Sequence, residues 1–209
     1  MSSVADLVFL SLWLRDYNES NMLQHWKCVI EAFPVSGNVP GIRSLVIYPF
    51  QWAETPVFER SFGEGFDVDE AVRLATEFLH EDYAYEAELH WDLWLPDPSG
   101  RPEIWRRTSN LALVSCLGPE FEREGTEDRA DIQVNFGLDT LFLPPEGQPY
   151  PLSGQERGVA DLRTRENLQH LVEFVHKLDQ SLSLVKRFLW CESGENLAEK
   201  ILANWDDQN

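Results

Sequence analysis

An α+β protein is what this chain of 209 residues predicts, and two patterns carry that reading. Residues 83–95, YAYEAELHWDLWL, place Tyr83, Tyr85, Ala87, Leu89, Trp91, Leu93 and Leu95 at odd positions. Glu86, Glu88, His90 and Asp92 stand at even positions, interrupted only by Ala84 and Trp94. A period of two gives a strand with one dry face and one wet, acidic face. Residues 68–79 follow the other period. Val68, Ala71, Val72, Ala75, Phe78 and Leu79 form a helical stripe behind Asp67, with Glu70 three residues on, a capping-box variant.

The elements before this strand can be placed in order. Residues 6–15, DLVFLSLWLR, are apolar on both alternating faces, the mark of a strand covered on both sides. Met22, Leu23, Trp26, Val29, Ile30 and Phe33 make a helical stripe that ends at Pro34. After a loop to Gly41, residues 42–50 and 55–62 read as strands, with Pro56 tolerated at the beginning of the second. Gly63–Gly65 breaks the chain before the capped helix, and Pro96 ends the strand 83–95. The order is β-α-β-β-α-β, a ferredoxin-like arrangement with a central first strand and the last strand at an edge. Charges along an edge strand discourage pairing with another chain. Residues 1–96 are therefore expected to form a ferredoxin-like half. Residues 103–209 are expected to form a C-terminal α+β half that packs with it and extends a mixed or antiparallel sheet.

In that second half, residues 109–117 read as a buried strand, and Ile132, Val134, Phe136 and Leu138 alternate against Asp131, Gln133, Asn135 and Asp139. Residues 144–163 hold four Pro and three Gly without periodicity and read as a long loop. A helix is expected over 164–180, and residues 182–190 suit either a strand or a helix. Ser193 is placed to cap a last helix carrying Leu197, Ile201, Leu202 and Trp205.

Charge narrows the function classes. The net charge is −19, which disfavours nucleic-acid phosphates and anionic lipid as direct partners. Residues 51–100 hold 13 acidic and 2 basic side chains, a local net of −11, so a basic protein partner is the complementary choice. The apolar run Leu7–Leu14 is too short to span a bilayer, and Asp6 precedes it. Cys28, Cys116 and Cys191 are odd in number and far apart, which points to a reducing cytoplasm.

No nucleophile elbow, phosphate loop, dinucleotide fingerprint or HExxH is present, and no cofactor or metal is expected. The wet face of 83–95 is the candidate site: Glu86, Glu88, His90 and Asp92, with Trp94 on the same side and Trp52 in the ring-rich segment Tyr48-Pro49-Phe50-Gln51-Trp52. Aromatic anchors beside a polar rim are what a protein-binding patch requires. The reading is a non-enzymatic cytoplasmic binding protein with an acidic-aromatic surface. The alternative is an enzyme or metal-binding protein centred on His90, partnered by Asp92 or Glu88 and needing a further ligand from another strand.

Overall fold

In a computed structural model, which describes residues 5–97, 104–122, 129–143 and 154–200 (the side chains of 154–157 apart), alternation becomes strands where it was clearest. The elements are β1 (Leu7–Leu14), α1 (Met22–Ala32), β2 (Ile42–Pro49), β3 (Phe58–Phe66), α2 (Val68–Thr76) and β4 (Tyr83–Pro96). β5 (Trp105–Leu117), β6 (Ile132–Leu138), α3 (Gly154–Ser181) and β7 (Leu184–Cys191) follow, with a 3-10 turn at Asp139–Leu141. The strands form one seven-stranded sheet in the order β3-β2-β4-β5-β6-β1-β7. Every neighbouring pair is antiparallel.

This order departs from the ferredoxin-like arrangement. β1 lies between β6 and β7, and β4 is interior, flanked by β2 and β5. The acidic alternation of β4 therefore marks a strand with one open face, not an edge. Alternation specifies which side of a strand is dry, whereas its neighbours are chosen by long-range pairing.

The dry side is covered by the helices. Tyr85, Ala87, Leu89, Trp91 and Leu93 are at most 1% exposed. The Trp26 ring of α1 lies 6.4 Å from Tyr85 and its indole donates to the Val114 carbonyl of β5 at 3.0 Å. Trp91 packs against Phe33, Phe136 and Phe142 at centroid distances of 5.4–5.7 Å, and Phe174 of α3 meets Phe33 edge-on. Asp67 caps α2 as its spacing predicts, accepting from the backbone N–H groups of Asp69 and Glu70.

Three local expectations are corrected. β1 is not covered twice: Val8, Leu10, Leu12 and Leu14 are buried, while Leu7, Phe9 and Trp13 are half-buried on the other face. There the rings shield one another, with Phe9 stacked on Trp190 of β7 at 4.8 Å. Residues 154–163 are helical, so α3 begins ten residues before the expected start; Gly154 and Gly158 had obscured an otherwise helix-compatible stretch. The last helical turn is capped by Asn196, whose side chain accepts from Ala198 N–H at 2.9 Å, and not by Ser193. Residues 201 onward, with Ile201, Leu202 and Trp205, and residues 144–153 lie outside the described residues.

β3 runs through the glycines that looked like a break. Gly65 has φ +85°, and a Cβ there would stand 2.0 Å from the Pro40 carbonyl oxygen. Only glycine permits that crossing of chains.

Trp91→Ala should cost about 3–5 kcal/mol, because it empties the largest ring contact of the covered face. Glu59→Ala, exposed on the other face, should change stability by less than about 0.5 kcal/mol. Urea denaturation of the two variants beside wild type measures both; a costlier Glu59→Ala would mean the faces are reversed.

Candidate functional site

The open face can be read across the strands from their register. Facing Glu88 on β4 are Ser44 on β2 and Leu113 on β5. The row continues through Asn135, Phe9 and Trp190. The next row runs Glu59, Val46, Glu86, Ser115, Gln133, Ser11 and Phe188. Carboxylates thus gather on β3 and β4, amides on β6, and rings on β1 and β7.

Glu86, Glu88, His90 and Asp92 do share this face, but their surroundings differ. Glu86 accepts from Ser115 Oγ at 3.0 Å. Burial pushes its pKa up and nearby Glu88 adds to the rise, against the opposing Ser115 hydrogen bond. Glu88 accepts from Ser44 Oγ at 3.2 Å and lies 3.3 Å from His90 Nε2. His90 Nδ1 is shielded and has no partner among the described residues. Ser44 turns to Glu88 and not to the imidazole, so no serine–histidine relay forms here.

Asp92 has a structural task. β2 pairs with β4 only from Tyr83 to Glu88, which leaves the rest of that β4 edge to be closed by other means. The chain after α1 wraps over it, and Ser36 N–H donates to the His90 carbonyl at 2.6 Å. Asp92 anchors this wrap by accepting from the Ser36 and Ser109 hydroxyls at 2.5 and 2.8 Å and from Gly37 N–H at 3.2 Å. Burial pushes the Asp92 pKa up, but these hydrogen bonds and the charge of Arg107 outweigh it, and the net shift is downward.

Trp94 and Trp52 are not neighbours. Trp52 packs edge-on against Tyr48 and Phe121 at 5.1 and 5.2 Å. Tyr48 faces Ala84, and ten residues of strand, about 33 Å, separate Ala84 from Trp94. At that far end the Arg163 guanidinium lies 3.8 Å over the Trp94 ring. Asn167 of α3, 1% exposed, bonds both the N–H and the carbonyl of Trp94 and also the Leu141 carbonyl. Phe50 meets Tyr83 edge-on instead of joining Tyr48 and Trp52.

The residues missed from the sequence are the rings of β1 and β7. Trp13, Trp52, Phe188 and Trp190, with Gln133 and Lys186, line a groove of about 500 Å³ on the open face. Lys186 Nζ lies 4.2 Å over the Trp13 ring, the Trp190 indole donates to Ser11 Oγ at 3.0 Å, and Trp13 Nε1–H has no partner among the described residues. The available signal was Phe9, Ser11 and Trp13 at alternate positions, a ring-bearing face with a hydroxyl in its middle.

The cysteine and metal readings also acquire a geometry. Cys116 is buried beside Tyr17 Oη at 3.2 Å, and burial pushes its thiol up to about 12, away from nucleophilic use. Asp131 accepts from Leu14 N–H, and Asp139 bonds Lys200 at 2.7 Å, so neither turns to His90. Gln133 and Asn135 are separated from β4 by β5. Among the described residues no three His, Cys, Asp or Glu side chains converge on a metal position, and no helix is long and apolar enough to cross a membrane. Comparison with protein families, with curated proteins and with solved structures gives no match.

Asp92→Ala should destabilise the protein by about 2 kcal/mol near neutral pH, since hydrogen bonds to a charged group are lost. A carboxylate whose folded pKa lies below its unfolded value stabilises fully above that unfolded value, near 3.8, and loses the contribution as pH falls through the folded one. The gap between wild type and Asp92→Ala in thermal or urea unfolding should therefore be flat from about pH 7 to 5 and close below about pH 4. A gap that widened on acidification would contradict the tether.

Proposed function

We propose that the chain is a binding protein that holds a basic polypeptide partner on the open face of its sheet. The observation that carries this reading is a face with Glu59, Glu86 and Glu88 on one side and the half-exposed rings of Phe188 and Trp190 on the other, with Trp52 standing at the Tyr48 end. Apolar groups of this size rimmed by charge are characteristic of interaction surfaces. The carboxylates supply steering, which complements the overall charge of −19.

This surface is not the whole wet face of β4. Trp94 sits under Arg163, which is paired with Glu166 at 2.8 Å, and across from Arg107, so its ring is already engaged and stands apart from Glu86 and Glu88. Asp92 is committed to Ser36 and Ser109. Glu86, Glu88 and Trp52 remain, joined by the rings of β1 and β7. The three free cysteines, with a thiol such as Cys116 deeply buried, support placing this activity in a reducing cytoplasm.

The test uses immobilised wild type beside Glu86→Gln/Glu88→Gln in native cytosol at low salt, with the retained proteins identified by mass. Basic proteins should be held by wild type, released as salt rises toward about 0.5 M, where screening shortens the reach of charge, and held poorly by the double variant. Identical retention by both chains would remove the carboxylates from the function, and retention of nothing would remove the binding reading itself.

A further inference from the structure

Resting on that reading, the layout of the face selects a kind of partner element. Carboxylates and rings form two bands that both run along the strands. Glu86, Glu88 and then His90 follow one another along β4, while Phe9 to Trp13 on β1 and Phe188 to Trp190 on β7 form the second band. At about 4.8 Å per strand, β4 lies about 14 Å from β1 and about 19 Å from β7. Between the bands stand Leu111, 47% exposed, and Leu113 on β5, and the amides of Gln133 and Asn135 on β6.

A partner in that strip must meet two conditions. It must be wide enough to touch both bands, and its own backbone must be satisfied, because the sheet's backbone groups there are spent on the ladders of β5, β6 and β1. An extended strand would find no backbone partner on a sheet face. An α-helix satisfies its own N–H and C=O groups and is about 10–12 Å across with its side chains. Laid along the strands, it presents one flank to each band.

The charges then fix how it lies. The carboxylates of β4 attract a cationic flank, and the rings of β1 and β7 receive an apolar one. We infer that the partner segment is a basic amphipathic helix lying along the strands between β4 and β7, with its Lys and Arg flank on Glu86 and Glu88. Its apolar flank lies on Phe9 and Phe188, with a large apolar side chain entering the groove between Trp13 and Trp52. This is helix-in-groove recognition with a sheet as the floor.

The probes are three synthetic 18-residue peptides: Lys and Leu at helical spacing, the same composition in strict alternation, and all Lys. Titration calorimetry at about 0.1 M salt reads their affinities for the full chain. The helical-pattern peptide should bind at least about tenfold more tightly than the alternating one. Phe188→Ala and, as a second variant on another element, Trp52→Ala should each weaken it by about tenfold, the loss expected of an anchor ring. Neither should change all-Lys binding, whereas Glu86→Gln/Glu88→Gln should weaken both. Equal binding of all three peptides would overturn the helix and leave the basic-partner reading standing. Tighter binding of the alternating peptide would overturn it in favour of an extended partner, and no binding by any peptide would overturn both readings.

Discussion

Trp91 sits where β4, the end of α1 and the turn after β6 meet, and its burial among Phe33, Phe136 and Phe142 decides which side of the sheet is dry. A strand cannot turn one residue without turning all of them. Once Trp91 faces the helices, so do Tyr85, Ala87, Leu89 and Leu93, and Glu86, Glu88, His90 and Asp92 must face outward. The register with β2 and β5 carries the same choice across the sheet. Helices on one side of seven strands leave a wide second face, and the chemistry of that face is what distinguishes this protein.

The second face performs two kinds of work. At one end polar groups close the structure. Asp92 holds the wrap after α1 over the β4 edge, and Asn167 satisfies both backbone groups of Trp94 where no strand does. These carboxylate and amide groups are used up by the fold. Further along, Glu86 and Glu88 accept, among the described residues, single serine hydroxyls and a histidine contact, which leaves oxygen lone pairs open for the cationic partner proposed above. The rings of β1 and β7 lie across the amides of β6. An acidic band and an aromatic band, separated by the leucines of β5 and the amides of β6, give the surface a direction.

How much of this was legible follows from the range of each signal. The two faces of β4 were readable because the nine residues from Tyr85 to Leu93 obey one period, and the α2 cap because its donors lie two and three residues from the acceptor. The strand order was not readable, because the pairing of β1 with β6 and β7 joins residues more than a hundred positions apart. The same gap misassigned β1: Phe9 and Trp13 looked like a second buried face, and their shield, Trp190, stands at the other end of the chain. Glu88 and Asp92 looked equivalent in sequence. Ser36, from a loop whose path no periodicity encodes, makes one a tether and leaves the other on the surface. That Trp94 lies under a guanidinium was not readable either, because Arg163 stands about seventy residues later.

The central claim is that the β1–β7 rings on the second face are accessible in the free protein while those under the helices are not. Hydroxyl-radical footprinting of the free chain tests it most directly, because aromatic side chains are modified in proportion to their exposure to water. Phe188, Trp190 and Trp52 should be modified readily, and Trp26, Trp91, Phe136 and Phe174 should be protected. Protection of Phe188 and Trp190 equal to that of Trp91 would mean that the second face is covered, and would contradict the account.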